Sequence, residues 1–241
     1  MESLLPEKEN KRDYVQSMFA RIASRYDLMN RIMTFGQDAH WRELVIRKLC
    51  PHDKHMYIDV GAGTGDLSLE IIRKSPGSYV IAVDLTFQML ASGKILPEKS
   101  EISRVVADAQ ALPFAGGIFS GAVSGYLFRN VPDISCALSE QYRVIAVDAS
   151  IVCLDTTPPD HNILYPFILI YLKWIIPLLG KIIVNDRQAY EYLPESTRRH
   201  VSTVEMAQKM TEVGFSNVNW KKLMFGTMAI HSAVKVTSQR L

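Results

Sequence analysis

The sequence predicts an α/β protein: a mostly parallel sheet with helices on both faces and an added helical cover. Three observations lead there. Short β-branched runs alternate with helical patterns through the middle of the chain, one such run opens straight into a glycine-rich turn, and apolar helical stretches flank the alternating region. Repeated β–α alternation implies parallel strands, because each crossover helix must pack back on a face of the sheet.

The elements follow in order. Phe19, Ile22, Tyr26 and Met29 recur at steps of three and four, one face of a helix or helix-turn. Trp41, Leu44, Val45 and Leu49 share one side of the next helix. "MYIDV" is the first strand, before a helix from about Gly65 to Lys74, and "SYVIAVD" the second, before a helix from about Phe87 to Gly93. "ISRVVAD", "FSGAVSG" and "SIVCLD" are the next three strands. Asp133 caps the helix "ISCALSEQYRVI" between the last two. In "STVEMAQKMTEVG", Ser202 and Glu205 fit a capping box and Gly214 a glycine C-cap. "NVNWKKL" and "GTMAIHSAVKV" close the chain as an antiparallel pair. The partition is one domain over residues 1–241, with residues 1–50 and about 160–200 forming the helical cover.

Composition narrows the function classes. A 48% apolar and 22% charged chain of 241 residues can bury a full core without staples. A net charge of +2 gives no electrostatic footprint for nucleic acid. The cysteines Cys50, Cys136 and Cys153 lack metal or redox spacing and are expected as reduced, buried thiols in a cytosolic protein. No histidine pair has metal spacing, and the start "MESLLPEKENKRDY" is charged, unlike a signal peptide. The stretch from Ile163 to Val184 is long enough to cross a bilayer, but Pro166, Pro177, Lys173 and Lys181 interrupt it. It is expected as a buried or lid-like pair of helices, with the lysines on one side and the apolar residues on the other.

The glycine turn carries the chemistry. In "YIDVGAGTGD", Gly61, Gly63 and Gly65 let the backbone turn sharply and approach a ligand at a strand's carboxyl end. Their GxGxG spacing differs from the GxGxxG of a dinucleotide site, and Asp66 follows, a carboxylate that repels a pyrophosphate but attracts a sulfonium. Asp84 ends the second strand about 20 residues on, where an acid grips ribose hydroxyls. Its alternative role is to cap the helix that follows. Asp108 ends the third strand, positioned to accept from an adenine amino group beside the Ala109 amide. Acids at successive strand ends suit a cationic nucleoside without phosphate, which is S-adenosylmethionine.

"MFARIASRYDLMNRIMTFG", "DVGAGTGDLSLE", "ADAQALPF", "FRNVPD" and "DRQAYEYLPES" together resemble the menaquinone/ubiquinone biosynthesis C-methyltransferases, the UbiE/MenG family, from about Tyr14 to Lys235. The glycine loop is generic to class I methyltransferases, whereas "RYDLMNR" and "DRxAYxYLPES" are specific. The resemblance implies a seven-stranded, Rossmann-like class I methyltransferase fold. It implies methyl transfer from S-adenosylmethionine to a ring carbon of a polyprenylated quinol, demethylmenaquinol to menaquinol in the menaquinone branch. It puts cofactor contacts on Thr64, Asp84, Asp108 and Ala109. A family serine before "RNV" aligns with Gly125, with Ser124 one residue early and taken as the contact. Two departures stand out. "AVDA" (146–149) replaces a "KPGG" turn, with Asp148 in a turn position, and "GQDAHWR" replaces "GxHRxWR", so that Asp38 and Ala39 stand for two cations.

An aromatic carbon becomes nucleophilic when the quinol loses a proton, so the site needs a base or a cation that favours the phenolate. Arg129 of "RNV" is the candidate cation, or else a structural partner of Asp133. Asn130 orients a water or holds the loop. Tyr26 closes over the sulfonium as an aromatic lid or simply packs. Ile163–Val184 is given the prenyl tail, with peripheral membrane contact. Tyr190 and Tyr192 line that pocket, or Asp186 and Arg187 pair to fix the lid. The other expectations are a cytoplasmic protein, possible as a homodimer, and no bound metal. Competing readings are a methyltransferase of another apolar molecule and a donor-binding protein without turnover. A nicotinamide oxidoreductase is disfavoured by GxGxG spacing and Asp66, and RNA methylation by the lack of a basic stripe.

Overall fold

The computed structural model describes residues 10–93, 101–160 and 162–237, with nothing resting on the Arg187 side chain. The charged start that argues against a signal peptide therefore lies mostly outside the described residues. Seven strands form one sheet: β1 (Met56–Val60), β2 (Tyr79–Asp84), β3 (Ile102–Val106), β4 (Phe119–Gly125), β5 (Ile145–Thr156), β6 (Phe215–Leu223) and β7 (Met228–Lys235). Their order is β3-β2-β1-β4-β5-β7-β6. The first five run parallel, and β7 pairs antiparallel with both β5 and β6. The chain reverses its direction of growth between β1 and β4, the switch point where such sheets bind ligands.

Period-two alternation divides the core between the two faces. On β5, Ile151 and Cys153 join the cluster built around Phe119, Leu138 and Met210. Val152 and Leu154 join the opposite cluster with Trp41, Val45 and Ile71. A third cluster belongs to the cover itself, where Met18, Ile22, Met29 and Met33 pack on Ile176, Tyr190 and Tyr192. Asp133 caps its helix by accepting from the Cys136 amide, and Ser202 and Glu205 form the capping box, with Gly214 left-handed at φ 114°.

Several expectations need correction. Ile163–Val184 does not form a buried pair of helices. Tyr165–Val184 is one helix, with wide π-type turns at Tyr171–Ile175 and Gly180–Val184. A Pro usually breaks a helix by removing a donor, but a wide turn next to it re-registers the hydrogen bonds and lets the helix continue past Pro177. Nor are its faces segregated: Phe167, Ile170, Trp174, Leu178 and Ile182 are each more than half exposed, on the same outward side as Lys173 and Lys181. Of the thiols only Cys153 is buried. Cys50 is exposed because it ends a helix in the left-handed region, at φ 52°. Where "AVDA" stands, β5 begins directly after the preceding helix, the β4–β5 register shifts, and Asp148 takes φ 64°. Aspartate is among the few non-glycine residues that tolerate this conformation.

Candidate functional site

The donor side is built on backbone. Gly61, Gly63 and Gly65 take φ of 73°, 57° and 84°. A Cβ at Gly61 would lie 2.9 Å from the Leu127 side chain, so this turn requires glycine. The Gly61 and Ala62 amides donate to the Val83 carbonyl at 2.8 Å, and the Gly63 amide donates to Asp84 Oδ2 at 2.8 Å. Asp84 Oδ1 accepts from the Thr86 amide at 2.8 Å. Thr86, not Asp84, is the cap residue of the helix Phe87–Ala91. Burial holds the Asp84 carboxyl above its ordinary pKa, against the two amides that lower it. The result is a carboxylate fixed at the switch point beside a glycine loop.

A cavity of about 90 Å³ lies over this rim, lined by Gly61, Gly63, Asp84, Asp108, Ala109, Gly125 and Tyr126. The helix Lys11–Ile22 roofs it with Val15, Gln16 and Phe19. Three contacts hold the roof down: Arg12 pairs with Asp108 at 3.4 Å, the Gln16 amide donates to the Leu85 carbonyl at 2.9 Å, and Lys11 Nζ donates to the Val131 carbonyl at 2.9 Å. Asp108, expected to meet an adenine amino group, thus faces a guanidinium.

Other expected contacts are placed elsewhere. Asp66 is ion-paired to Arg42 at 2.9 Å, and the same Arg42 nitrogen reaches Asp38 at 2.9 Å. Asp66 is therefore neutralised off the cavity wall, not presented to a sulfonium. Asp38, which replaces an expected cation, is buried between Arg42 and Arg31. His40 is exposed, 3.9 Å from Glu43. Thr64 is buried, with its hydroxyl donating to Asp27 at 2.7 Å. Ser124 is buried within β4, and its neighbour Gly125 reaches the cavity instead, as strand alternation requires. One acid went unremarked in the sequence: Asp59, at the end of β1, accepts from the Ser68 amide at 3.0 Å and hydroxyl at 2.7 Å, and burial pushes its carboxyl up to about 7.

The acceptor side is built from side chains. A second cavity, about 280 Å³, shares Tyr126 with the first. Its walls are mostly apolar, including Met33, Phe35, Leu164, Phe167, Ile168, Tyr171, Leu172 and Ile176. Arg129 and Asn30 line it too. Arg129 is buried, its guanidinium carbon 5.3 Å from the centre of the Tyr126 ring and its Nε without a hydrogen-bond partner. Among the described residues no carboxylate pairs with it, and Asp133 is occupied as a helix cap. Asn130 holds the loop: its amide donates to the Tyr126 carbonyl at 2.8 Å and its oxygen accepts from the Tyr192 hydroxyl at 3.4 Å. Tyr26 borders the donor cavity and, with Arg129, Asn130, Tyr190 and Tyr192, a small void beside it. Asp186 caps the helix Arg187–Arg198 and pairs with Arg21 at 2.9 Å. The Asp186–Arg187 pairing considered from sequence falls outside the described side chains. His231 packs against Trp220, with a ring nitrogen 3.0 Å from the Thr203 carbonyl. His200 lines neither cavity.

A glycine loop at the switch point, an acid at the end of β2 and an antiparallel β7 inserted beside β5 define a class I S-adenosylmethionine-dependent methyltransferase. Solved structures agree on the fold. The Haemonchus contortus phosphoethanolamine N-methyltransferase 2 in complex with S-adenosyl-L-methionine superposes with a TM-score of 0.63 at 12% identity, over 82% of this chain and 53% of that one. The [4+2]-cyclase SpnF gives 0.68 at 11% identity, over 94% and 97%. The chain belongs to the ubiE/COQ5 methyltransferase family, which it matches over residues 7–235. It is similar to the ubiquinone/menaquinone biosynthesis C-methyltransferase UbiE of Desulfotalea psychrophila, 43% identical over 92% of this chain and 90% of that one. It is also similar to the demethylmenaquinone methyltransferase of Roseiflexus castenholzii, 37% identical over 97% and 98%.

Proposed function

We propose that this enzyme methylates a ring carbon of demethylmenaquinol, giving menaquinol. C-methylation of a polyprenylated quinol with S-adenosylmethionine as donor is the reaction class of its family and relatives. The observation that carries the substrate assignment is the meeting of two unlike cavities at Tyr126, one rimmed by a strand-end carboxylate and one apolar with a buried guanidinium at its end. The residues present fit the donor, because the rim offers the Asp84 and Asp108 carboxylates and its one lining cation, Arg12, is paired with Asp108. The bound donor supplies an electrophilic methyl on a sulfonium.

The chain's own residues do the rest. Asp84, Asp108 and Ala109 would hold the nucleoside, Asp108 in exchange for its pairing with Arg12. Arg129 lies beside the acceptor oxygen and favours its ionised form. Burial pushes the phenols of Tyr26, Tyr126 and Tyr192 up, the last to about 12, so they act as donors and not as bases at neutral pH. The hydroxyl proton leaves to water, and the ring-carbon proton follows after the carbon–carbon bond forms. Tyr26 presents its ring to the sulfonium. Positioning of this kind supplies several kcal/mol of a displacement barrier.

The chain is one catalytic domain whose N-terminal and 160–200 helices form the cover. The prenyl tail leaves through the wall formed by Tyr165–Val184. Leu164 and Phe167 line the cavity and are also exposed, so its mouth is continuous with the outward apolar face. That face rests on the cytoplasmic side of the membrane, with Lys173 and Lys181 beside lipid headgroups. A homodimer that buries the same face is the competing occupant, and vesicle flotation with sizing in detergent separates them. Radiolabelled methyl transfer tests the substrate: faster labelling of demethylmenaquinol than of a prenylated benzoquinol supports the reading, and the reverse order contradicts it.

A further inference from the structure

Among the described residues, seven carry buried side-chain polar atoms without a hydrogen-bond partner, and four of the seven converge on one place. These are Asn30 Nδ2, which has only the Tyr26 phenol beside it and no well-formed bond to it, Tyr126 Oη, Arg129 Nε and Tyr190 Oη. Asn30, Tyr126 and Arg129 line the acceptor cavity, and Tyr190 joins Asn30 and Arg129 around the small void next to it. Each such atom costs folding stability when left unpaired. Scattered single cases are ordinary, but a group of buried atoms on residues that border adjoining cavities marks a place where a ligand completes the bonding.

The four share one chemical character. An Asn amide nitrogen and an Arg Nε only donate. The two tyrosine hydroxyls stay protonated because burial pushes both phenols up. Asp38, a carboxylate on this side, is already tied to Arg31 and Arg42. All four can donate, so a ligand that brings acceptor oxygens on an otherwise apolar body suits them. Both new residues are held rigidly. Tyr126 sits at φ 58°, its amide donating to the Leu154 carbonyl at 2.7 Å and its carbonyl accepting from Asn130. Asn30 lies one helical turn beyond Tyr26, and its carbonyl accepts from both the amide and the hydroxyl of Thr34.

We propose that Asn30 and Tyr126 are the residues that read the acceptor ring's oxygens: their side chains bind a 1,4-dihydroxy ring and discriminate against the same ring lacking one hydroxyl. This rests on the quinol reading above and adds to Arg129 the groups that orient the ring. A site that hydrogen-bonds a substrate hydroxyl rejects an analogue lacking it far more strongly than an apolar pocket does.

The test compares the parent with Tyr126→Phe and Asn30→Leu, on a prenylated 1,4-naphthalenediol and the matching prenylated 1-naphthol. Each substitution is expected to raise KM for the diol about tenfold and to shrink the preference for diol over mono-ol. Donor affinity of Asn30→Leu by calorimetry is expected to stay within about twofold, since Asn30 does not line the donor cavity. The melting temperature of Tyr126→Phe is expected to equal or exceed the parent's, since an unpaired hydroxyl leaves the core. Variants that keep the parent's KM and preference, in a parent that methylates the diol, overturn this proposal alone. A parent that binds the diol more tightly than both variants but transfers nothing upholds it and overturns the substrate reading. A parent that neither binds nor methylates the diol overturns both.

Discussion

The donor rim and the acceptor end sit side by side and are built on opposite principles. On the donor side nearly every polar group already has a partner: Asp84 holds two backbone amides, Asp66 holds Arg42, Asp108 holds Arg12 and Thr64 holds Asp27. At the acceptor end, Asn30, Tyr126, Arg129 and Tyr190 keep buried donors unpaired. A largely bonded rim is held in shape before any ligand arrives, which suits a preformed nucleoside site. Under the proposal above, an underbonded end gains its missing bonds when an oxygen-bearing ring arrives, so binding energy there is spent on orientation.

The sharpest way to break this contrast is Asp84→Ala. It removes the carboxylate that anchors the Gly63 amide as well as the proposed ribose contact, and donor affinity is expected to fall by at least about 100-fold in calorimetry. Unchanged donor affinity would dissolve the donor side as drawn. Next comes Arg129→Ala, expected to lower kcat by about 10²–10³ with donor affinity intact, as for loss of one electrostatic stabiliser in a dry site.

Asp59 tests the one exception on the donor side, a buried acid with Oδ1 unpartnered. Its folded pKa lies above the unfolded value, so the folded state binds more protons between about pH 4 and 7. Stability from this group is present at low pH and is lost as pH rises towards 7. Asp59→Asn should therefore gain on the parent by about 1–3 kcal/mol between pH 5 and pH 8 in denaturant titrations. A constant difference across that range would place the charge in water.

A smaller effect is expected from the joint Ile170→Ser and Trp174→Ser variant, two exposed residues that do not line the cavity. About tenfold slower turnover is expected on vesicle-embedded quinol, with normal turnover on a short-tailed quinol in detergent. Slowing on both substrates would assign the helix to the cavity alone. The smallest effect is Arg12→Ala, which frees Asp108 and loosens the roof. Donor association by stopped flow should speed up about two- to threefold, in keeping with the modest worth of an exposed ion pair.

What could be read from the sequence follows the same division. Glycine spacing and strand-end acids are local patterns, so the loop, Asp84, Asp108 and Ala109 fall where spacing puts them, on the wall of one cavity. Asp66 misled because its partner, Arg42, comes from a helix 24 residues upstream whose packing no local pattern reports. Ser124 misled by one step of a period-two strand, which turns a side chain from cavity to core. The acceptor end draws on residues near 30, 126 and 190, so no window of sequence contains it. One trace was there: Asn30 follows Tyr26 by four residues and Met33 by minus three, on one helical face. The single long helix was hidden by Pro177, whose usual effect the π-type turns absorb.

The separation of a prebuilt donor rim from an underbonded acceptor end is tested most directly by titrating S-adenosylmethionine into the parent and Arg129→Ala while following methyl transfer to demethylmenaquinol. Equal donor Kd with transfer slowed at least about 100-fold is the expected result. Donor binding that weakens in step with transfer would contradict it, because Arg129 would then belong to the donor rim.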